Sequence, residues 1–184
     1  MGNINLPVAV KLICAITFAP TIELQTVHQE LTWWFGPIDS VSPTYPFTHT
    51  DHYCAEMGEN LQKQFVSFAR LIFPERLVGI KIFTNQLEQK FCGPSGGRLV
   101  NVDPGYLEKS KLVLATTKNY SHRIYLGAGI FGDVQYRFIR GTFTINDWTY
   151  PDYREQLAIT FFNKVREIYL RQLKSNEEEN GNYL

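Results

Sequence analysis

The sequence predicts an α+β fold built on a mainly antiparallel sheet, and three observations carry that expectation. The first hundred residues alternate in the order strand, helix, strand, strand, helix, strand. Residues 112–145 hold four short strand-like stretches separated by tight turns, and a long amphipathic segment follows them. The first pattern is the βαββαβ order of a ferredoxin-like core; the later strands would extend its sheet, and the terminal helix would pack on it.

Each element has a local cause. Residues 7–18 (PVAVKLICAITF) are rich in β-branched and apolar side chains, which suits a buried central strand. Leu24, Val27, Leu31, Trp34 and Phe35 recur at three- and four-residue spacing and predict a helix that Gly36-Pro37 stops. His28 sits at the edge of that stripe and reads as a packed side chain. Residues 38–53, punctuated by Ser42, Pro43 and Pro46, predict an irregular or edge segment. Gln64 to Phe73 is strand-like. Pro74 then opens a second helix with Leu77, Ile80, Phe83, Leu87 and Phe91 on one face and Gly93 at its end.

Arg98 to Val102 resumes as a strand. Leu112–Thr117, His122–Leu126, Ile130–Ile139 and Thr142–Ile145 follow. Asp152, with Glu155 three residues on, predicts the start of the last helix, whose buried face would be Leu157, Phe161, Val165, Ile168 and Leu173. Beyond Lys174 the chain turns acidic and should fray, giving one domain over residues 1–176 and a tail over 177–184.

Composition narrows the classes of function. The 184 residues are 44% apolar, enough for one substantial core, and 18 basic side chains balance 18 acidic ones. No global basic field exists for nucleic acid. Between residues 98 and 154, however, eight basic side chains face five acidic ones, a net of +3. Three cysteines without C-x-x-C spacing argue against a disulfide framework and against a zinc ribbon, and suit a reducing cytoplasm. The apolar run Leu6–Phe18 is interrupted by Lys11, lacks a basic lead-in and is too short to span a bilayer, so no membrane segment is expected.

The densest chemistry lies between Arg98 and Arg154. Gly127, Gly129 and Gly132 spell G-x-G-x-x-G, but a strand-like stretch follows rather than the helix a dinucleotide site requires, so a tight hairpin is expected. No G-x-x-x-x-G-K-[ST] loop is present. His49, Asp51, His52 and Cys54 are all capable metal ligands, yet an extended segment would send them to opposite faces, and no metal or other cofactor is predicted. Asp103 precedes Pro104-Gly105, where a turn would expose its carboxylate. His122 and Arg123 could supply an acid/base group or an anion clamp. Trp148, Tyr150 and Tyr153, interleaved with Asp152 and Arg154, form an aromatic cluster able to stack on a ring.

The runs FGPID (35–39), ENLQKQFVSFARLIFPERLVGIKIFTNQLEQKF (59–91), RLVNVDPGYLEKSKLVLATTKNYSHRIYLGAGIF (98–131) and WTYPDYR (148–154) resemble the bacterial family known as domain of unknown function 4416. The resemblance covers nearly the whole chain. It departs from the family pattern at Gly132, His49 and His52, which weakens the dinucleotide and metal readings. It favours as site residues the positions that match the family's motifs: Asp103, Gly105, Tyr106, Lys111, His122, Arg123, Tyr125, Trp148, Pro151, Asp152, Tyr153 and Arg154.

Three functions remain open from the sequence. The leading expectation is a cleft for a small anionic or nucleotide-like ligand, with Tyr106, Lys111, Arg123, Tyr125, Trp148, Asp152, Tyr153 and Arg154 around it. A metal-independent hydrolase or transferase would use His122 as acid/base and Asp103 to orient it. A non-catalytic subunit would use the same aromatic and arginine side chains as interface anchors.

Overall fold

A nine-residue strand with every side chain buried, β1 (Val10–Phe18), runs through the middle of the computed structural model, which describes residues 2–49, 53–94 and 96–181. Leu12, Cys14 and Ile16 enter one apolar cluster while Ile13 and Ala15 enter another on the opposite side, which is why the run is apolar without alternation. β1 pairs with β4 (Gln62–Ile72) on one edge and β5 (Val100–Leu107) on the other. Beyond β4 lies β2 (Ile38–Val41). Beyond β5 come β6 (Lys111–Thr116), β8 (Ile130–Ile139) and β7 (Ile124–Gly127), so the order is β2-β4-β1-β5-β6-β8-β7. The two-residue β3 (Tyr45–Pro46) adds to β4, and β9 (Thr142–Ile145) adds to β8. All these pairings are antiparallel.

Helices cover both faces of the sheet within one domain. Val27 and Leu31 of α1 (Leu24–Phe35), with Ile80 and Leu87 of α3 (Leu77–Glu88), seal the Leu12–Cys14–Ile16 side. The single turn α2 (Cys54–Met57), not anticipated from the sequence, packs Met57 beside Phe47 and Leu61. On the other side α4 (Gln156–Gly181) lays Ala158, Phe162, Val165 and Tyr169 over Phe65, Leu114 and Tyr136. Of the expected face, Phe161, Val165 and Leu173 are buried, while Leu157 and Ile168 are only partly so and Ala158, Phe162 and Tyr169 are buried beside them. Helical geometry continues to Gly181, past Lys174. Among the described residues no helix is long and apolar enough to cross a membrane.

Three local expectations are corrected. Pro104-Gly105 makes no turn: both lie inside β5, where a Cβ on Gly105 would meet the Val113 carbonyl oxygen at 2.5 Å, so only glycine lets β5 and β6 approach there. His122 and Arg123 precede β7 in a turn closed by the Arg123 N–H to the Tyr120 carbonyl. Asp152 is not the N-cap of α4 but sits buried in a separate 3-10 turn, Pro151–Arg154. The glycine motif is a hairpin, as expected: Ala128 and Gly129 at its tip have φ of 48° and 78°, and Gly132 lies in β8.

Candidate ligand cleft

The sheet splits between β5 and β6. These strands pair only where Gly105–Leu107 faces Leu112–Leu114. Val102 turns its backbone away from β1, because its N–H donates to Glu88 Oε1 (2.8 Å) and its carbonyl accepts from Lys81 Nζ (3.2 Å). Pro104, two residues on, has the same orientation and no N–H to offer, so the ladder stops at Gly105. Side chains of α3 thus stand in for the missing strand, and a hollow of about 570 Å³ opens between Asn101–Asp103 and Ala115–Lys118.

Charged side chains wall this hollow. From α3 come Lys81, Asn85 and Glu88; from β4, Lys63; from the lead-in to α4, Tyr150 and Asp152. Lys81 Nζ lies 2.9 Å from Asp103 Oδ1, and Asn101 donates to Asp103 Oδ2 at 2.8 Å. The Asp103 side chain lies deep in the molecule yet keeps 30% of its surface open to the hollow. Burial would push its carboxyl up, but the Lys81 and Lys63 ammoniums with hydrogen bonds from Lys81 and Asn101 outweigh that and hold it below the usual range. Glu88 goes the other way: burial raises its carboxyl, only partly offset by the Val102 N–H, Lys81 and Arg98. Arg98 ties Glu88 (2.5 Å) to Glu56 (2.6 Å), bracing the rim.

The Lys63–Asp152 pair differs from these. Its atoms are 2.5 Å apart, with side chains 6% and 5% exposed. Lys63 is ringed by Phe47, Phe65 and Tyr153, its Nζ 4.7 Å from the Phe47 centroid. Among the described residues, Asp152 Oδ2 meets no donor beyond the Lys63 ammonium. Tyr150 forms the adjoining wall, its phenol pushed by burial up to about 12 although Arg123 pulls it down.

Of the residues singled out from the sequence, His49, Asp103, Tyr150, Pro151 and Asp152 line the hollow. Arg123 stands behind the wall, donating to Asp133 (2.7 Å), the Lys118 carbonyl (2.9 Å) and the Tyr150 hydroxyl (2.7 Å). His122 is stacked between Tyr120 and Trp148, its Nε2 3.4 Å from Asp133 and without a hydrogen bond. His122 and Asp103 therefore do not pair; each faces a different partner. Tyr106 packs against the Leu77–Ala115–Ile130 cluster, and Lys111 pairs with Glu108. Tyr125 is exposed on the hairpin, Trp148 donates to the Val134 carbonyl, and Tyr153 is buried in the core. Arg154 donates to the carbonyls of Thr149 and Asp147.

His49 approaches Glu155 at 3.0 Å on the rim, whereas Asp51 and His52 lie outside the described residues. Among the described residues no group of three or more histidine, cysteine or acidic side chains could hold a metal. Sequence reasoning missed Lys63, Lys81, Asn85 and Glu88. A signal existed: positions 81, 85 and 88 recur at helical spacing beside the apolar face of α3, a polar stripe where burial would be costly without a purpose.

A family model matches residues 8–169, a stretch that runs from the sheet's first strand into α4 and holds all the side chains lining the hollow. The chain belongs to the family described as domain of unknown function (DUF4416). The split of the sheet thus lies wholly inside the DUF4416 region. No curated protein and no solved structure matches the chain.

Proposed function

We propose that the chain binds a small anionic or nucleotide-like ligand in the cleft between β5 and β6. The observation that carries this reading is the Lys63–Asp152 pair, two buried opposite charges that meet chiefly each other at the wall of an open hollow. Buried ion pairs are costly, and a site is where such cost is repaid. Lys63, Lys81, Arg98 and Lys118 outnumber the lining carboxylates Glu88, Asp103 and Asp152, which favours an anion. Phe47, Tyr53 and Tyr150 offer aromatic walls.

The fold suits this use. We read β1-α1-β2-β4-α3-β5 as a ferredoxin-like unit, a reading supported by the order β2-β4-β1-β5 and its antiparallel pairings. Three cysteines without C-x-x-C spacing suit a cytoplasmic setting. Thermal-shift measurements with nucleotides and phosphorylated metabolites test the proposal. A true ligand at a hundredfold excess over its Kd adds about 2.7 kcal/mol of stability, and Lys81→Met should remove most of the shift. No shift with any of these compounds would contradict it.

One observation favours a second reading, a protein-interaction subunit: Trp33 and Trp34 of α1 are 82% and 51% exposed. Concentration-dependent sedimentation that disappears in Trp33→Ala would support it. The hydrolase or transferase reading has less behind it, since His122 and Asp103 are engaged elsewhere.

A further inference from the structure

We infer that the ligand presents neighbouring hydroxyls, as a ribose or another sugar ring does, to the Asp152 and Asp103 carboxylates; this rests on the cleft being the ligand site. Asp152 is 4% exposed and lines the hollow, with Oδ2 meeting no donor among the described residues beyond the Lys63 ammonium. An anionic group cannot fill that place, because it brings only acceptors and a like charge. An ammonium would satisfy Asp152 but would crowd Lys63, 2.5 Å from the same carboxylate, and Lys81 on the same hollow. A hydroxyl meets both demands, donating to the carboxylate while accepting from the lysine.

The same logic repeats at the second pair. Asp103 and Lys81 again set an acceptor beside a donor, 2.9 Å apart, and the Asp103 side chain is partly open to the hollow. Two such pairs lining one hollow suit two hydroxyls of one ligand. Asn85 and Asn101, which both donate and accept, add further polar contacts, and Tyr53 and Tyr150 offer flat faces to the C–H side of a sugar.

Calorimetric titration of the whole chain decides the matter. The probes are adenosine 5′-monophosphate, its 2′,3′-dideoxy counterpart, ribose 5-phosphate, glucose 6-phosphate and inorganic phosphate. At least one hydroxyl-bearing probe should bind about tenfold or more tighter than the dideoxy nucleotide and phosphate, the ratio expected for hydrogen bonds to charged groups. The nucleotide and the two sugar phosphates separate a nucleotide ligand from a simple sugar. Asp152→Asn, checked for folding by circular dichroism, should lower hydroxyl-bearing affinity to the dideoxy level. The series on the unaltered chain stands even where that variant fails to fold. Equal affinity for the ribose and dideoxy forms would overturn the hydroxyl inference while leaving an anion-binding cleft intact. Binding of none of the five probes would overturn it together with the cleft as their site.

Discussion

Two buried pairs of opposite charge lie near one another in this sheet, and they are built differently. Arg123 and Asp133 are 3% and 0% exposed, and Arg123 spends its donors on Asp133, the Lys118 carbonyl and the Tyr150 hydroxyl while packing on Tyr120. Lys63 and Asp152 are nearly as buried, yet Asp152 Oδ2 meets no donor among the described residues beyond Lys63, and both face a hollow. The first pair fastens a turn to the lead-in of α4. The second has no such fastening. Asp133 Oδ1 is unpartnered too, so what distinguishes the second pair as a candidate site is its place beside open volume.

The largest expected effect is on the fastening pair. Arg123→Met strands Asp133 in the interior and should cost about 3–5 kcal/mol of stability, read from urea denaturation. A much smaller loss would mean that Asp133 finds another donor and that the two pairs are less different than their contacts suggest. Next comes the pair at the hollow. Replacing both of its members, Lys63→Met with Asp152→Leu, should leave stability unchanged or raise it by about 1–4 kcal/mol, as apolar substitution of a buried ion pair often does. The same double variant should lose ligand-induced thermal shifts. If it unfolds instead, Lys63 and Asp152 are structural after all.

The smallest effects are in pH dependence, and the two carboxyls of the cleft act in opposite directions. Asp103 is held below its usual range, so its stabilisation is present above that range and lost as pH falls through the lowered value. Glu88 is raised, so the stability linked to it is present below the usual glutamate range and lost as pH rises through the raised value. Melting temperatures across pH 3 to 8, a window spanning the ordinary carboxyl range of about 4, should therefore show two trends. The deficit of Asp103→Asn should shrink on acidification, and Glu88→Gln should gain on the unaltered chain as pH rises. Parallel curves for all three proteins would show that neither carboxyl is shifted by folding.

Much of the architecture was legible in the sequence. The apolar, β-branched run of β1 announced a buried central strand, and the helical periods of α1 and α3 and the hairpin at Gly127–Gly129 were readable from spacing and glycine. The site was legible only in part, because it is made where strands separate. Asp103 and Asp152 stood out beside proline, but Pro104 read as a turn when it in fact ends a ladder within a strand. Lys63 and Lys81 hid inside segments whose apolar patterns dominate, and their meaning arises from partners 89 and 22 residues away in Asp152 and Asp103. Arg123, His122 and Trp148 carried the right chemistry, yet folding committed them to one another, to Asp133 and to backbone carbonyls.

Amide chemical-shift mapping with whichever compound gives the greatest thermal shift asks most directly whether the parting of β5 and β6 is where the ligand sits. Perturbations should concentrate in residues 101–103, 115–118 and 150–152, with Val102 prominent because its N–H is held by Glu88 in place of a strand. Shifts gathered instead around Trp33 and Trp34, or on the Tyr125 hairpin, would place binding elsewhere and leave the split in the sheet without a ligand.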